Sequence, residues 1–533
     1  MNNRKPSKKE NDLSKLLLKK ITRREALSTG AKIGIAAGVA AVVAGVGGYF
    51  GGLASVPAQV KTITVPGVER TVTQTVTQTV TQTPAITPPK EKFSMNIILS
   101  SPFDSVIRKW GPEYEKLTGG MITATPVAVS AVDVYPKMMT DFKGGAGAYD
   151  AGEYVYEWLA DFVEGGFVVD ITPYVDKYND WDFFNDLVPV AKKFYGEWKG
   201  RLYGIPFDGD SHNYYYRKDL FNNPKVQDEF KKEFGWDLKP PDDWDQYLDI
   251  AKFFGQVVKG KYTPYGTSEA AKRGRMAIWW WADRFLGMGG EWFDSAGRPL
   301  INTDIGIKAL KNYKECIKYA PPGVLNFEFQ EHENAFLQGI VPQFVQWANI
   351  WFDLTTNPIS FTKGVYPSDP KFPVGVAPNP GVGPGKPGHT LLAGGWSFVI
   401  NKDSKNPEEV YKFLMYVCKA PQSVWQVNTP ETGVNPYLVK GHFQNPEVIK
   451  IQTKEWLDAY LEGMKRGLPD LRFPHAPEML DYLDLQVTRA LAEEITPEEA
   501  LRETERYWKV EVMKKYWNSE TLPPEYIEAQ KPP

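Results

Sequence analysis

Tryptophan and carboxylate side chains are the residues of this chain best suited to bind a hydroxylated ligand. The sequence contains 17 Trp and 65 Asp and Glu residues among 533. A carboxylate or an amide can hydrogen-bond the hydroxyl groups at the edge of a sugar, while a flat aromatic ring can cover its C–H face. The same aromatic content is also typical of a large hydrophobic core. Composition alone therefore does not tell a binding residue from a core residue, and the position of each residue in the chain has to be considered.

Four other functions find little support in the spacing or the charge of the residues. The five histidines are scattered without metal-ligand spacing, so neither a metal site nor a cofactor is expected. Tyr214, Tyr215 and Tyr216 could suggest ferric iron, but neighbouring strand residues point to opposite faces. A glycoside hydrolase would need two carboxyl groups roughly 5–10 Å apart, and no pair lies in a recognisable glycosidase motif. The net charge of −3 gives no argument for nucleic acid.

The elements that would position the binding side chains alternate between strands and helices. The pattern predicts strands at 93–101 and 122–129, and helices around 106–117, 136–142 and 156–162. This order predicts an α/β fold, in which a parallel or mixed sheet has helices on both faces. Ligands of such sheets bind beyond the carboxyl ends of the strands. The loops that contain Ser101 and Asp150 are therefore expected at a site.

The second half of the chain predicts that the backbone passes between two lobes more than once. Its pattern indicates a Pro/Gly-rich crossing loop at 373–388, a strand at 397–401, and helices at 407–419, 478–494 and 497–516. Residues 93–533 are enough for two sizeable lobes. Cys316 and Cys418 are too few for a disulfide framework, which leaves two buried thiols or a single long-range disulfide.

The N-terminal segment indicates export. Residues 1–32 are basic and include Arg23 and Arg24, while residues 33–60 carry no charge. Basic residues stay in the cytoplasm, so the rest of the chain is expected outside. The arginine pair before a mildly apolar segment favours a twin-arginine signal, with the general secretory route as the alternative. The uncharged segment is longer than the roughly 20 residues that span a bilayer, which favours an uncleaved anchor over cleavage.

Residues 61–92 read as a stalk. The tetrapeptide Thr-Val-Thr-Gln begins at Thr71 and again at Thr75 and Thr79, and prolines follow it. Its apolar residues are mainly Val, separated by Thr and Gln, so the segment cannot form a hydrophobic core by itself. We expect a tether that holds the globular part away from the membrane.

Several stretches, taken in order along residues 93–520, resemble the extracellular solute-binding proteins of ABC importers, in the large sugar-binding family that includes maltose-binding protein. They are Gly144–Asp150 with Trp158–Gly166, Gly200–Asp208 with Tyr215–Phe221, Gly289–Asp294 with Ala335–Gly339, Gly394–Ile400 with Ser404–Glu409, and Thr496–Leu501. Each stretch alone is a weak signal. Their common order and spacing make the resemblance specific.

The resemblance implies a two-lobed, periplasmic-binding-protein-like α/β fold of type II, with a hinge and an interlobe cleft. It assigns 93–207 and 375–405 to the first lobe, and 208–374 and 406–533 to the second. It also implies a monomeric binding protein, not an enzyme, that captures a sugar or oligosaccharide outside the cell and delivers it to permease subunits. The alternatives are an extracellular glycoside hydrolase and a binding protein for a non-sugar solute.

The resemblance also implies which residues touch the ligand. They are Trp396, Asp210, Trp347, Ser101, Asp150, Glu153, Asp208, Trp280, Trp351 and Asn435. Asp208 and Asp210 could instead cap the crossover between the lobes, and at least one tryptophan of the triplet at 279–281 must be core. The family often has an Asp where this chain has Val155, so Glu153 or Glu157 could supply the carboxylate.

Overall fold

The computed structural model describes residues 91–356, 372–386, 388–392 and 394–533. The expected basic N-region and apolar segment lie outside these residues, as does the expected stalk apart from its last two positions. Within the described ranges, no helix combines the length and the apolar character needed to cross a membrane.

Two sheets form the centres of the two lobes. The strands are β1 (Phe93–Ser100), β2 (Ile122–Val129), β3 (Ala151–Val155), β4 (Glu197–Trp198), β5 (Arg201–Leu202), β6 (Ile205–Pro206), β7 (His212–Arg217), β8 (Gln343–Trp347), β9 (Val374–Ala377), β10 (Thr390–Leu391), β11 (Trp396–Ile400) and β12 (Gly467–Leu468). The first lobe contains a five-stranded sheet in the order β2-β1-β3-β11-β6, and the second a three-stranded sheet in the order β8-β7-β9. Two short pairs, β4-β5 and β10-β12, complete the strands.

Helices cover both sheets. They are α1 (Asp104–Leu117), α2 (Ala131–Gly144), α3 (Tyr156–Glu164), α4 (Thr172–Tyr178), α5 (Trp181–Asp186), α6 (Lys218–Phe221), α7 (Pro224–Phe234), α8 (Trp244–Lys252), α9 (Met276–Gly287), α10 (Asp304–Ile317), α11 (Phe329–Leu337), α12 (Ile350–Thr356), α13 (Pro407–Cys418), α14 (Gln422–Val427), α15 (Pro446–Gln452), α16 (Lys454–Lys465), α17 (Ala476–Leu491), α18 (Pro497–Tyr507), α19 (Lys514–Trp517) and α20 (Pro524–Gln530). Asp243 caps α8 through Gln246 N, and Thr496 with Glu499 forms a capping box on α18. Polar residues in the sequence thus fix where these helices begin.

Strand β1 shows why the first lobe has two helical layers. Ile97 and Leu99 pack into a core that includes residues of α1, whereas Ile98 packs into the core that includes residues of α2. Successive strand side chains point to opposite faces, so an apolar run needs cover on both sides. β1 pairs in parallel with β2 and with β3, as the alternation of strands and helices predicts.

The division into lobes differs from the expected one at two places. Strand β9 pairs antiparallel with β7, with Gly375 opposite Tyr216, so 374–377 belongs to the three-stranded sheet rather than to the first lobe. Helix α13 packs on α1, β6 and β11, and its Phe413 and Leu414 share the core of the first lobe. The expected start of the second lobe at 406 is therefore wrong for α13, because its apolar face covers the five-stranded sheet.

The two cysteines are buried free thiols, so the alternative of a long-range disulfide is wrong. Cys316 lies in a core cluster of the second lobe with Phe254, whereas Cys418 lies in the core that contains β1. Burial raises the pKa of both thiols above the ordinary range. Both cysteines therefore act as small apolar core residues.

Candidate functional site

The carboxyl edge of the five-stranded sheet gathers several of the predicted residues. Strands β1 and β3 end there, and antiparallel β11 begins there, with Trp396 opposite Val155. Ser101 is exposed just after β1, and Trp396 is half-buried. The Trp396 ring lies 5.3 Å from Phe103 and 6.2 Å from Trp158 between centroids. The edge therefore carries an aromatic surface beside a small polar loop.

Asp208, Asp210 and Asn435 come together at the crossover from β6 to β7. Asn435 Nδ2 donates to Asp210 Oδ1 at 2.9 Å, and the N–H of Asn435 donates to Asp208 Oδ1. The N–H of Gly395 donates to Asp210 Oδ2 at 3.2 Å. A Cβ added to Gly394 would lie 2.4 Å from Asp210 Oδ2, so the loop before Trp396 approaches the carboxylate closely. The Gly-Gly-Trp loop thus packs directly against the crossover.

Burial governs the charge of this carboxylate pair. Asp208 and Asp210 are 1% and 6% exposed. Burial raises the pKa of Asp208 well above its ordinary value, and the charge of Asp210 raises it further. Burial also raises the pKa of Asp210, to about 6, although the hydrogen bond from Gly395 lowers it. The raised pKa values favour one proton held by the pair over two separate charges.

The facing wall belongs to α9 and to the end of β8. Trp279 is half-buried, and its Nε1 donates to Asp470 Oδ2 at 3.1 Å. Its ring lies 5.8 Å from the Trp347 ring, at 84°. Trp347 is 7% exposed and also contacts His212, at 4.4 Å between centroids. An aromatic wall on the second lobe thus complements the one around Trp396.

Polar contacts join the two walls. The Nη2 of Arg275 lies 3.3 Å from Glu157 Oε2 of α3 and 3.4 Å from Asp481 Oδ1 of α17. The N–H of Asp470 donates to the Tyr156 hydroxyl at 3.3 Å. Tyr156 and Glu157 follow β3 directly, so these contacts connect the sheet edge of the first lobe with α9 and α17. They show where the two lobes touch.

Of the ten predicted ligand residues, only Ser101 and Trp396 are not buried. Four of the buried ones do not take part in the contacts described above. Asp150 precedes β3, at the end of the strand opposite Trp396, and accepts from Asn96 N at 2.9 Å and Ser404 Oγ at 2.6 Å. The expectation that it follows a strand at the cleft is therefore wrong. Glu153 is fully buried and accepts from Ser100 N at 2.8 Å, and burial raises its pKa to about 8. Trp280 and Trp351 are 0% and 2% exposed.

The structure also indicates candidate site residues that the sequence does not predict. Arg275, Trp279 and Asp470 lie at the contacts between the lobes, and the sequence offers Glu157 only as a substitute for an absent Asp. The Trp triplet was a usable signal, because consecutive helix residues lie 100° apart and one of the three must face outward. That residue is Trp279, since Trp280 packs against His332 at 4.9 Å.

Metal and iron sites receive no support in the described part of the chain. Within it, no three His, Cys, Asp or Glu side chains are grouped to hold a metal ion. The Tyr214 hydroxyl donates to Gln343 Oε1 at 2.8 Å, and the Tyr215 hydroxyl donates to the carbonyl of Trp347 at 3.2 Å. The two rings belong to different core clusters on opposite faces of β7. Their roles are structural.

Comparison with known proteins agrees with this architecture. The pattern of the family "Bacterial extracellular solute-binding protein" matches residues 100–422. A Sinorhizobium fredii protein, named a probable amino-acid ABC transporter periplasmic-binding protein, is 25% identical over 386 residues, which are 71% of this chain and 81% of that protein. A mannitol-binding protein of Pseudomonas aeruginosa is 30% identical over 157 residues, which are 29% of this chain and 33% of that protein.

Solved structures share the fold. An ABC transporter solute-binding protein of Agrobacterium radiobacter in complex with ribitol has a TM-score of 0.64 at 24% identity, and the match covers 78% of this chain and 98% of that one. A maltose-bound T. maritima protein has a TM-score of 0.63 at 21% identity, with coverages of 79% and 100%. These matches confirm the two-lobed fold expected from the sequence.

The family match covers more than half of the chain. It confirms the expected class of protein, and the alternative of a glycoside hydrolase is wrong. The chain belongs to the family of bacterial extracellular solute-binding proteins, which serve ABC transporters and are not enzymes.

Proposed function

We propose that the chain captures a sugar or polyol in the interlobe cleft and delivers it to an ABC permease outside the cell. The observation that carries this proposal is the grouping of aromatic rings and carboxyl groups on both lobes. Trp396 lies beside Trp158 at the sheet edge of the first lobe, and Trp279 donates to Asp470 at α9. Rings of this kind suit the C–H face of a sugar, and carboxylates suit its hydroxyls.

The relatives point to the same ligand class. Among the similar structures, two hold the polyols ribitol and D-mannitol, and another holds maltose. The Sinorhizobium fredii relative is instead named for amino acids. An amino acid offers few hydroxyl groups to two aromatic walls, so the composition of this cleft favours a polyhydroxylated ligand.

The N-terminal segment tethers the binding domain to the outer face of the membrane. Support comes from the sequence: the basic residues before position 33, the uncharged segment at 33–60 and the stalk at 61–92. The arginine pair at 23–24 directs twin-arginine export. The chain works as a monomer, since one copy supplies both walls of the cleft.

Titration calorimetry of the full chain, solubilised in mild detergent, tests the ligand class. The panel contains ribitol, mannitol, glucose, maltose, maltotetraose, glycine and glutamate. We expect at least one polyol or sugar to bind with a micromolar or lower Kd, and the two amino acids not to bind. Binding of an amino acid without any sugar or polyol would refute the proposed ligand class.

A further inference from the structure

A cavity of about 640 Å³ lies between the segment 184–200 and the helix α20. Cavities of roughly 300–1,000 Å³ are the size that takes a small organic molecule. Asn185, Pro189 and Glu525 in its lining are exposed, so the cavity opens to solvent. Its lining contains none of the ten predicted ligand residues. The cavity is therefore a candidate site in addition to the cleft.

The guanidinium of Arg472 is the most enclosed charge in the lining of this cavity. Arg472 is 2% exposed. Its Nε donates to the carbonyl of Phe194 at 2.9 Å, and its Nη2 donates to the carbonyl of Glu197. Among the described residues, no carboxylate forms an ion pair with it. A guanidinium has five N–H donors, so three of them stay available for an anion.

Aromatic rings hold the guanidinium without neutralising it. Its Cζ lies 5.2 Å from the centroid of the Trp198 ring and 6.0 Å from that of Phe194. Burial lowers the pKa of Arg472 to about 10, which leaves the group charged at neutral pH. A buried charge without a counter-ion is costly. An anion bound beside Arg472 would therefore be stabilising.

Lys193 adds a second cation to the same cavity. It is half-buried, and it forms no hydrogen bond or ion pair with the described part of the chain. Burial lowers the pKa of Lys193, the charge of Glu528 raises it, and the charge of Arg472 lowers it. Two cations that repel each other and have no ion-pair partner favour a negative charge between them.

The acidic residues in the lining do not cancel this charge. Glu525 and Glu528 are exposed, so water screens them, and Glu528 pairs with Lys531 at 2.8 Å. The charge of Glu197 raises the pKa of Arg472, but the two side chains form no ion pair. The enclosed end of the cavity is therefore positive.

We propose that this cavity binds a small organic anion, with its carboxylate or phosphate group between Arg472 and Lys193 and its apolar part along Phe184 and Leu187. Both apolar side chains are buried and line the cavity. A guanidinium binds either oxyanion through two parallel N–H bonds. This site is additional to the proposed sugar cleft and does not depend on it.

Titration calorimetry of the full chain at pH 7 tests the site with benzoate, phenyl phosphate, benzyl alcohol and inorganic phosphate. At least one of the two organic anions should bind tenfold or more tightly than neutral benzyl alcohol, and the tighter of the two distinguishes carboxylate from phosphate. Phenyl phosphate should also bind more tightly than inorganic phosphate. No preference for either organic anion over benzyl alcohol would overturn the proposal. Equal binding of phenyl phosphate and inorganic phosphate would overturn the role of the apolar part.

Lysine variants connect the binding to the cavity. Lys193→Gln removes a half-buried charge and should weaken binding of the preferred anion about tenfold, whereas Lys225→Gln at an exposed position of α7 should bind as wild type does. Arg472→Gln should weaken binding further if its circular dichroism spectrum is unchanged. If that variant does not fold, Lys193→Gln decides. Unchanged binding by Lys193→Gln would refute the site.

Anomalous scattering from crystals soaked with para-iodobenzoate locates the anion directly. We expect the iodine beside Phe184 and Leu187, because the carboxylate then reaches Arg472. Iodine beside Trp396 or Trp279 instead would show that the anion binds in the cleft, and this result would also overturn the proposal.

Discussion

The side-chain amide of Asn435 donates a 2.9 Å hydrogen bond to Asp210. This bond links the crossover between the lobes to the loop after α14. The same loop reaches Asp208 through the N–H of Asn435. Asp208 Oδ2 is buried and has no hydrogen-bond partner among the described residues other than its neighbour Asp210. Two carboxyl groups in such a place are stable when they share a proton.

This arrangement predicts a pH-dependent stability. Burial and the charge of Asp210 raise the pKa of Asp208 in the folded chain above its value in the unfolded chain. The resulting stability is complete below the unfolded pKa of about 4 and is lost as pH rises toward the folded pKa. Asp208→Asn imitates the protonated acid. Relative to the variant, wild type should lose up to about 1.4 kcal/mol of unfolding free energy per pH unit.

Urea unfolding at pH 5, 6, 7 and 8 measures this difference. The exposed Asp228→Asn is the matched control, and its difference from wild type should stay constant with pH. A constant difference between wild type and Asp208→Asn over the same range would contradict a proton held by the pair.

Substituting two glycines tests how closely the Gly-Gly-Trp loop approaches Asp210. Gly394 has φ 124°, and an added Cβ would meet Asp210 Oδ2 at 2.4 Å, whereas Gly383 has φ 136° and open space. Both substitutions to Ala strain the backbone by about 1–3 kcal/mol. Gly394→Ala adds a clash, so thermal unfolding should show a clearly larger loss of Tm than in Gly383→Ala. Equal losses would show that the loop can move away from Asp210.

Part of the site could be predicted from the sequence because it depends on local rules. Strands followed by helices place the residues after β1 and β3 at one sheet edge, and Ser101 and Trp396 lie there. The resemblance named Asp208, Asp210 and Asn435 as ligand residues, and the structure places them in contact, while their role in binding stays a prediction. The α/β class followed from the alternation, and the two-lobed fold from the resemblance.

The remaining parts depend on packing that no local pattern encodes. The position of Asp150 depends on whether a strand ends or begins beside it. In the structure β3 begins after Asp150, and all five residues of that strand are buried. Trp279 rather than Trp280 is half-buried because Trp280 packs against His332 of α11. The positive φ of Arg275 has no signal in the sequence, since φ above zero is usually provided by glycine.

Ligand binding should make the chain more compact. A ligand gains contacts with Trp396 and Trp279 together only when the lobes are closed, so it shifts the population toward that state. Small-angle scattering of the full chain should show a smaller radius of gyration with saturating ligand than without. Glycine at the same concentration is the control. An unchanged radius would indicate a rigid cleft.

Export should depend on the arginine pair itself. Twin-arginine signals are read by a receptor, so Arg23→Lys with Arg24→Lys keeps the charge but should leave the protein in the cytoplasm. Cell fractionation and immunoblotting measure the distribution. Lys19→Arg with Lys20→Arg, which also conserves charge, is the control and should be exported. Normal export of the double-Lys variant would indicate the general secretory route, with the orientation of the chain unchanged.

Trp396 should contribute a stacking surface for the ligand. Covering about 80 Å² of apolar area at about 25 cal/mol per Å² gives about 2 kcal/mol, or roughly thirtyfold in affinity. Trp396→Ala should therefore weaken sugar binding by one to two orders of magnitude in calorimetry, with an unchanged circular dichroism spectrum. Trp181→Ala removes another half-buried ring from α5 and should bind as wild type does. If Trp396→Ala also binds as wild type does, the ring only packs against Phe103 and Trp158, and the stacking surface must be sought at Trp279 and Trp347 on the opposite wall.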